Sequence, residues 1–200
     1  EAEEEARRTA VDREEETLLV LARASEFRDS DTGAHLERVG ALCAEVARLF
    51  GMEEEERRLL RRSAPLHDIG KIGIPDSILF NPGRLTREEY DEMKRHTLIG
   101  WNILRECRSV FLRHGAEIAL SHHEHWDGSG YPHALRGESI PLAGRIVGLV
   151  DVYDALTSER PYKRAWSAQE ARDYIQQERG RHFDPQLVDL FISSFEEIRA

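Results

Sequence analysis

Apolar residues recur every three or four positions along most of this chain, and no run alternates with the period of a strand. Leu36, Val39, Leu42, Val46 and Leu49 form one stripe closed by Gly51, which predicts a helix over Asp31 to Phe50. A second helix is predicted over Met52 to Asp68. Glu53 to Glu56 load its first turn favourably against the helix dipole, and Leu59, Leu60, Ser63, Ala64 and His67 trace its inner face. Gly70, Gly73, Pro75 and the turn Asn81-Pro82-Gly83 then break the chain. Thr86 and Glu89 have capping-box spacing, with Leu85 and Tyr90 as a hydrophobic staple. The helix they open is expected to bury Tyr90, Met93, Thr97, Gly100 and Trp101, with His96 at the edge of that stripe.

Further helices are predicted over Phe111 to His123 and Gly144 to Thr157. Ser167 and Glu170 cap another that runs to Gly180, and Asp184-Pro185 opens the last, which carries Leu187, Leu190, Phe191 and Phe195. The expected architecture is all-α, a bundle of about seven or eight helices. Residues 1–25 are charged and sparsely apolar, and read either as a solvated helix or as a connector helix. A connector would pair in a homodimer or carry a signal from an upstream domain.

Composition narrows the function. Two hundred residues with 40% hydrophobic content suit one domain with an appendage. A net charge of −10 and a pI near 5.4 argue against a nucleic-acid polymer or an anionic membrane as partner, and leave room for a small anionic ligand. Cys43 and Cys107 allow one bridge at most, and neither has a CxxC partner. Both are expected to be reduced and buried, as in the cytoplasm. No signal-peptide pattern opens the sequence, and no apolar run approaches 18 residues. The first residue is not Met, so a piece of a longer protein is expected.

His67 and Asp68 adjoin just before the break at Gly70, and Lys71 follows. Candidate metal ligands sit on five segments: Asp31, His35, His67, Asp68, His96, His122, His123 and Asp151. Taken singly, His35 reads as a core histidine, His96 as a half-exposed one and Lys71 as a surface lysine. Together the eight are too many for one ion and suit two or three. Imidazole with carboxylate favours Mn, Fe or Zn over Mg or Ca. Two cations roughly 3.5–4 Å apart clamp the oxygens of an in-line displacement, which points to hydrolysis of a phosphate ester. Asp68 could bridge such a pair, and Lys71 could neutralise a phosphate oxygen. Asp154, inside the apolar stretch of its helix, needs a metal or a cation as partner.

His67-Asp68-Ile69-Gly70-Lys71, His122-His123-Glu124 and Asp127-Gly128-Ser129-Gly130-Tyr131-Pro132 together resemble the HD-GYP branch of the HD phosphohydrolases. Asp31-Thr32-Gly33-Ala34-His35, Gly144-Arg145-Ile146, Asp151 to Thr157 and Arg160-Pro161-Tyr162-Lys163 resemble further motifs of that family, in order, from about residue 26 onward. The resemblance implies an HD-type helical bundle over 26–200. It also implies a bacterial phosphodiesterase that hydrolyses cyclic di-GMP to linear pGpG, in some members on to GMP. Two or three divalent metals are implied, iron or manganese first, with Zn, Ni or Co as alternatives. The implied ligands are His35, His67, Asp68, His96, His122, His123 and Asp151. Lys71 would meet the scissile phosphate, Arg160 and Lys163 the other phosphate, and Tyr131 would sit near the substrate or brace the site. Asp31 stands where members with a third metal commonly carry glutamate. It would ligate that metal, leave the site dinuclear, or cap the helix before His35. An upstream sensor or receiver domain is a further implied partner. The alternatives are a regulatory HD-GYP module that docks a partner around a structural metal site, and a phosphodiesterase for another cyclic dinucleotide such as cyclic GMP-AMP.

Overall fold

A computed structural model describes residues 20, 22–23, 33–159 and 164–198. Residues 1–19, which hold most of the expected connector, lie outside them, as do Asp31, Arg160 and Lys163. The described residues are helical, without a named strand, in the all-α architecture expected. The helices are α1 (Gly33–Phe50), α2 (Glu54–Ser63), α3 (Asp76–Leu79), α4 (Arg87–Lys94), α5 (His96–Leu104), α6 (Val110–Ser121), α7 (Leu142–Thr157), α8 (Ala168–Gln177), α9 (Pro185–Ser193) and α10 (Phe195–Ile198). Two of them, α3 and α10, have four residues each, which leaves eight longer helices. No helix of the described residues is long and apolar enough to cross a membrane.

The capping expectations hold. Thr86 accepts from the Glu89 amide, Ser167 from the Glu170 amide, and each glutamate reaches back to complete the box. Asp184 accepts from the Gln186 amide with Pro185 at the first helical position. Helix α1 packs against α2, α7 and α9, and α7 is buried along most of its length. The larger core joins Val39, Val46, Leu60, Ile118, Val147, Ile175, Leu187 and Phe191. A smaller core joins Leu36, Leu66, Ile69, Leu104 and Ala116. His35 and His67 adjoin Leu36 and Leu66, which both belong to the smaller core.

Two boundaries differ from the hydrophobic pattern. The helix expected to run to Asp68 ends at Ser63 and tightens into a 3₁₀ turn over Ala64–Leu66. Pro65 has no N–H for the α-helical ladder, so the chain cannot continue as one helix. A second 3₁₀ stretch covers Ile69–Gly73. The helix expected to run through Met93 to Trp101 breaks at Arg95, whose amide is shared between the Glu92 and Met93 carbonyls. His96 Nδ1–H and Thr97 Oγ1–H donate to the Met93 and Lys94 carbonyls there. Tyr90, expected on the inner side, is 49% exposed, and His96, expected at its edge, is 2% exposed. Cys43 is buried and Cys107 half-buried, and both are free.

Glycine permits two close approaches beside the candidate ligands. A Cβ at Gly70 would lie 1.8 Å from the His96 carbonyl oxygen, and one at Gly148 would lie 2.6 Å from that of His122. Gly70 seats the second 3₁₀ stretch on the start of α5, and Gly148 seats α7 on the end of α6. Gly70→Ala should therefore cost about 3 kcal/mol, the upper end for overpacking. In a domain of this size that is a fall of roughly 6–12 °C in Tm. A melting curve within about 2 °C of the parent would refute the contact.

Candidate metal centre

The break after Ser63 decides how His67 and Asp68 are presented. His67 keeps helical angles, while Asp68 lies at φ −103°, ψ 9°, outside the helix. On an unbroken helix the two side chains would diverge by about 100°. Here His67 Nε2 lies 3.4 Å from Asp68 Oδ2. Asp68 Oδ1 faces the other way, 3.3 Å from His96 Nε2 and 3.7 Å from His122 Nε2. Lys71 Nζ sits 2.7 Å from Asp68 Oδ2.

The structure brings seven of the eight candidates into two adjoining groups. One holds Asp68, His96, His122 and His123; the other holds His35, His67 and Asp151. Within each group the ligand atoms all lie within 4.8 Å of one another. Asp151 Oδ1 is 3.7 Å from the Nε2 of both His35 and His67. The eighth candidate, Asp31, lies outside the described residues, as do Arg160 and Lys163.

Four of the five imidazoles are oriented from behind. His67 Nδ1–H donates to the Ala64 carbonyl at 2.9 Å, and His96 Nδ1–H to the Met93 carbonyl at 2.8 Å. His122 Nδ1–H is shared between the Ile118 and Ala119 carbonyls at 3.1 Å. His35 Nδ1–H donates to Asp154 Oδ2 at 2.7 Å. A carbonyl or carboxylate oxygen only accepts, so in each neutral ring the proton is on Nδ1 and the Nε2 lone pair faces inward. The Nε2 atoms of His67, His96 and His122 are buried without a hydrogen-bond partner. That is an expensive arrangement for polar atoms unless a cation satisfies them. The donor set is imidazole and carboxylate without thiolate, so it fits divalent Fe, Mn or Zn better than Mg or Ca.

The electrostatics are divided. Burial works against ionising Asp68, but Lys71 and His67 hold its carboxyl well below the usual range. Burial also opposes protonation of His67, yet Asp68 and Asp151 lift that imidazole to about 9. Burial pulls His96 down to about 4 and His123 well below the ordinary histidine value. Burial raises Asp154, but its bonds to His35 and Arg38 outweigh this and hold it low. Burial pushes the Tyr131 phenol up, so it stays neutral.

Tyr131 closes one side. Its ring stacks on His123 with centroids 4.7 Å apart, and its amide donates to the His123 carbonyl at 3.0 Å. Tyr90 meets it edge-on at 6.4 Å, and Lys94 Nζ lies over both rings. The loop is held by Glu124, whose buried carboxylate accepts from the amides of His133 at 2.7 Å and Leu135 at 2.9 Å. Sequence reasoning assigned Glu124 no role, because its partners follow 9 and 11 residues later in an irregular loop. Arg145 pairs with Asp184 at 2.6 Å.

The HD domain family model matches residues 19–187. The chain is 52% identical, over 90% of its length and 48% of that protein's, to the cyclic di-GMP phosphodiesterase response regulator RpfG of Xanthomonas campestris. It is 43% identical, over 92% of its length and 35% of that protein's, to the 3'3'-cGAMP-specific phosphodiesterase 2 of Vibrio cholerae. The chain thus spans half or less of these two curated relatives. A crystal structure of a cyclic GMP-AMP specific phosphodiesterase from Vibrio cholerae superposes with a TM-score of 0.72 at 25% identity. That match covers 92% of this chain and 49% of the other.

Loss of the Glu124 clamp frees two amides and leaves the centre's ligands in place. Glu124→Ala should cost about 3 kcal/mol, two hydrogen bonds to a charged group. Hydrogen exchange should accelerate over residues 129–136 first. Unchanged protection at His133 and Leu135 would show that the clamp does not hold the loop.

Proposed function

Because the chain belongs to the HD domain family, in its HD-GYP branch, we propose that it is a metal-dependent phosphodiesterase of a cyclic dinucleotide. Cyclic di-GMP is the first substrate and linear pGpG the product, with GMP after a second cut. The observation that carries this reading is the position of Asp68. Its two oxygens face different donor groups, as a carboxylate shared between two cations must. We assign His96, His122 and His123 to one cation, His35, His67 and Asp151 to the other, and Asp68 to both. Asp31 is a candidate for a third. Fe or Mn suits these donors. Cations bound there supply Lewis acidity toward phosphoryl oxygens and acidify a water molecule.

The protein's own groups do the rest. The Nδ1–H anchors hold the ring nitrogens in place before the ligands arrive, so little reorganisation remains at the moment of reaction. Lys71 stands at the edge of the basin, 2.7 Å from Asp68, and is placed to offer a charge to a non-bridging oxygen of the scissile phosphate. Tyr131 walls the His123 side as a neutral phenol and narrows the entrance for water. Arg160 and Lys163 are assigned to the second phosphate of the dinucleotide. Hydrolysis breaks one P–O3′ bond, leaving a 5′-phosphate and a free 3′-hydroxyl.

The response-regulator name of the Xanthomonas relative supports an upstream sensor or receiver domain joined to residues 26–200 through the 1–25 connector, which could pair in a homodimer. A cytoplasmic location follows from that reading. The Vibrio relatives named for cyclic GMP-AMP favour a second substrate of the same class.

Anaerobically loaded protein should convert cyclic di-GMP to pGpG, and a parallel assay with 3'3'-cGAMP ranks the two substrates. Asp68→Asn should lower turnover by several kcal/mol of barrier, on the order of 10³-fold. A fully metal-loaded parent that turns over neither dinucleotide would exclude the enzyme.

A further inference from the structure

Asp154 belongs to neither donor group, yet it is among the most buried charges in the fold. Its Oδ2 accepts from His35 Nδ1–H at 2.7 Å and from Ser158 Oγ–H at 3.2 Å. Arg38 donates through Nε to Oδ1 at 2.6 Å and through Nη2 to Oδ2 at 3.0 Å. The same Nη2 donates to Ser158 Oγ at 2.9 Å. The guanidinium thus grips both carboxylate oxygens, while one of them also holds the imidazole.

His67, His96 and His122 are each held by helix carbonyls. His35 alone among these four is held by a full negative charge. A carboxylate behind an imidazole fixes the tautomer and raises the basicity of the opposite nitrogen more than a carbonyl does. Arg38 is one turn beyond His35 on α1. It lines an open groove of about 570 Å³ beside the end of α7. The orientation of a buried ring is therefore tied to a half-exposed guanidinium.

We propose that Asp154 is the positioning residue of the His35–His67–Asp151 group, setting the cation affinity of that group apart from its neighbour, and that Arg38 holds Asp154 in place. This rests on the assignment of the two groups to two cations. Asp154 touches no substrate and acts only through His35. The rival role is a plain structural tie between α1 and α7, which would disturb both groups alike or neither.

The test is a Mn²⁺ titration of the metal-free full chain, followed by the paramagnetic resonance signal of free Mn²⁺. The parent should show two binding events, and His96→Ala should identify one of them by weakening it. Asp154→Ala should weaken the other event about 10–100-fold and leave the His96 event unchanged. Asp154→Asn keeps an acceptor for His35 Nδ1–H and should recover part of that loss. Arg38→Gln should weaken the same event more mildly. If the alanine variant does not fold, as read from the melting of metal-free protein, the asparagine and Arg38 variants carry the comparison. Equal weakening of both events, or no weakening of either, overturns the proposal. A parent that binds fewer than two Mn²⁺ overturns the two-cation assignment, whatever the variants do.

Discussion

Three imidazole nitrogens buried without a hydrogen-bond partner set the terms for the rest of this molecule. Each such atom costs about 1–3 kcal/mol of lost solvation, against a total stability of about 5–15 kcal/mol for a typical domain. A fold that tolerates this must fix the rings from outside the centre. The helix carbonyls do so at Nδ1, and Gly70 and Gly148 let backbone meet backbone behind the ligands. A cation that binds the folded chain but not the unfolded one would return that stability by mass action. Stability and the proposed chemistry then depend on the same atoms.

The placement of Asp68 follows from a helix that stops early. Pro65 ends the ladder, the 3₁₀ turn tightens the chain, and Asp68 falls in sparsely occupied backbone space between two short helical stretches. Neighbours in sequence thereby become neighbours across one basin. On a longer helix the Asp68 side chain would point about 100° away from that of His67. The pair of short 3₁₀ stretches over 64–73 is thus part of how the centre is built.

Much of the fold was legible because its causes are local. Capping boxes at Thr86 and Ser167, the Asp184-Pro185 start and the stripe of α1 each need only a few adjacent residues. The end of α2 and the break at Arg95 were not legible, although Pro65 was in view. Periodicity reads which residues face inward; it does not read where a ladder fails. The same limit misplaced Tyr90 and His96. The candidate ligands could be gathered by residue type and motif, and the fold places seven of them in adjoining groups. What supports them could not. Asp154 was recognisable as a buried acid in need of a partner, but His35 and Arg38 lie 119 and 116 residues away in sequence. Only tertiary packing reveals that pairing, and the same holds for Arg145 with Asp184.

Charge poses the last question. A chain of net charge −10 whose centre gathers Asp68 and Asp151 is a poor host for a doubly anionic dinucleotide. Lys71 offsets Asp68, and Arg38 is engaged with Asp154 on the far side of His35. At contact distances, repulsion between unit charges in a partly buried site amounts to a few kcal/mol, about 4 at an effective dielectric near 20. Divalent cations in the two groups would reverse the sign of the local field. In the proposed enzyme, metals therefore govern substrate binding as well as bond cleavage. Loss of metal should raise KM together with the fall in turnover, and anchors such as Asp154 would shape both.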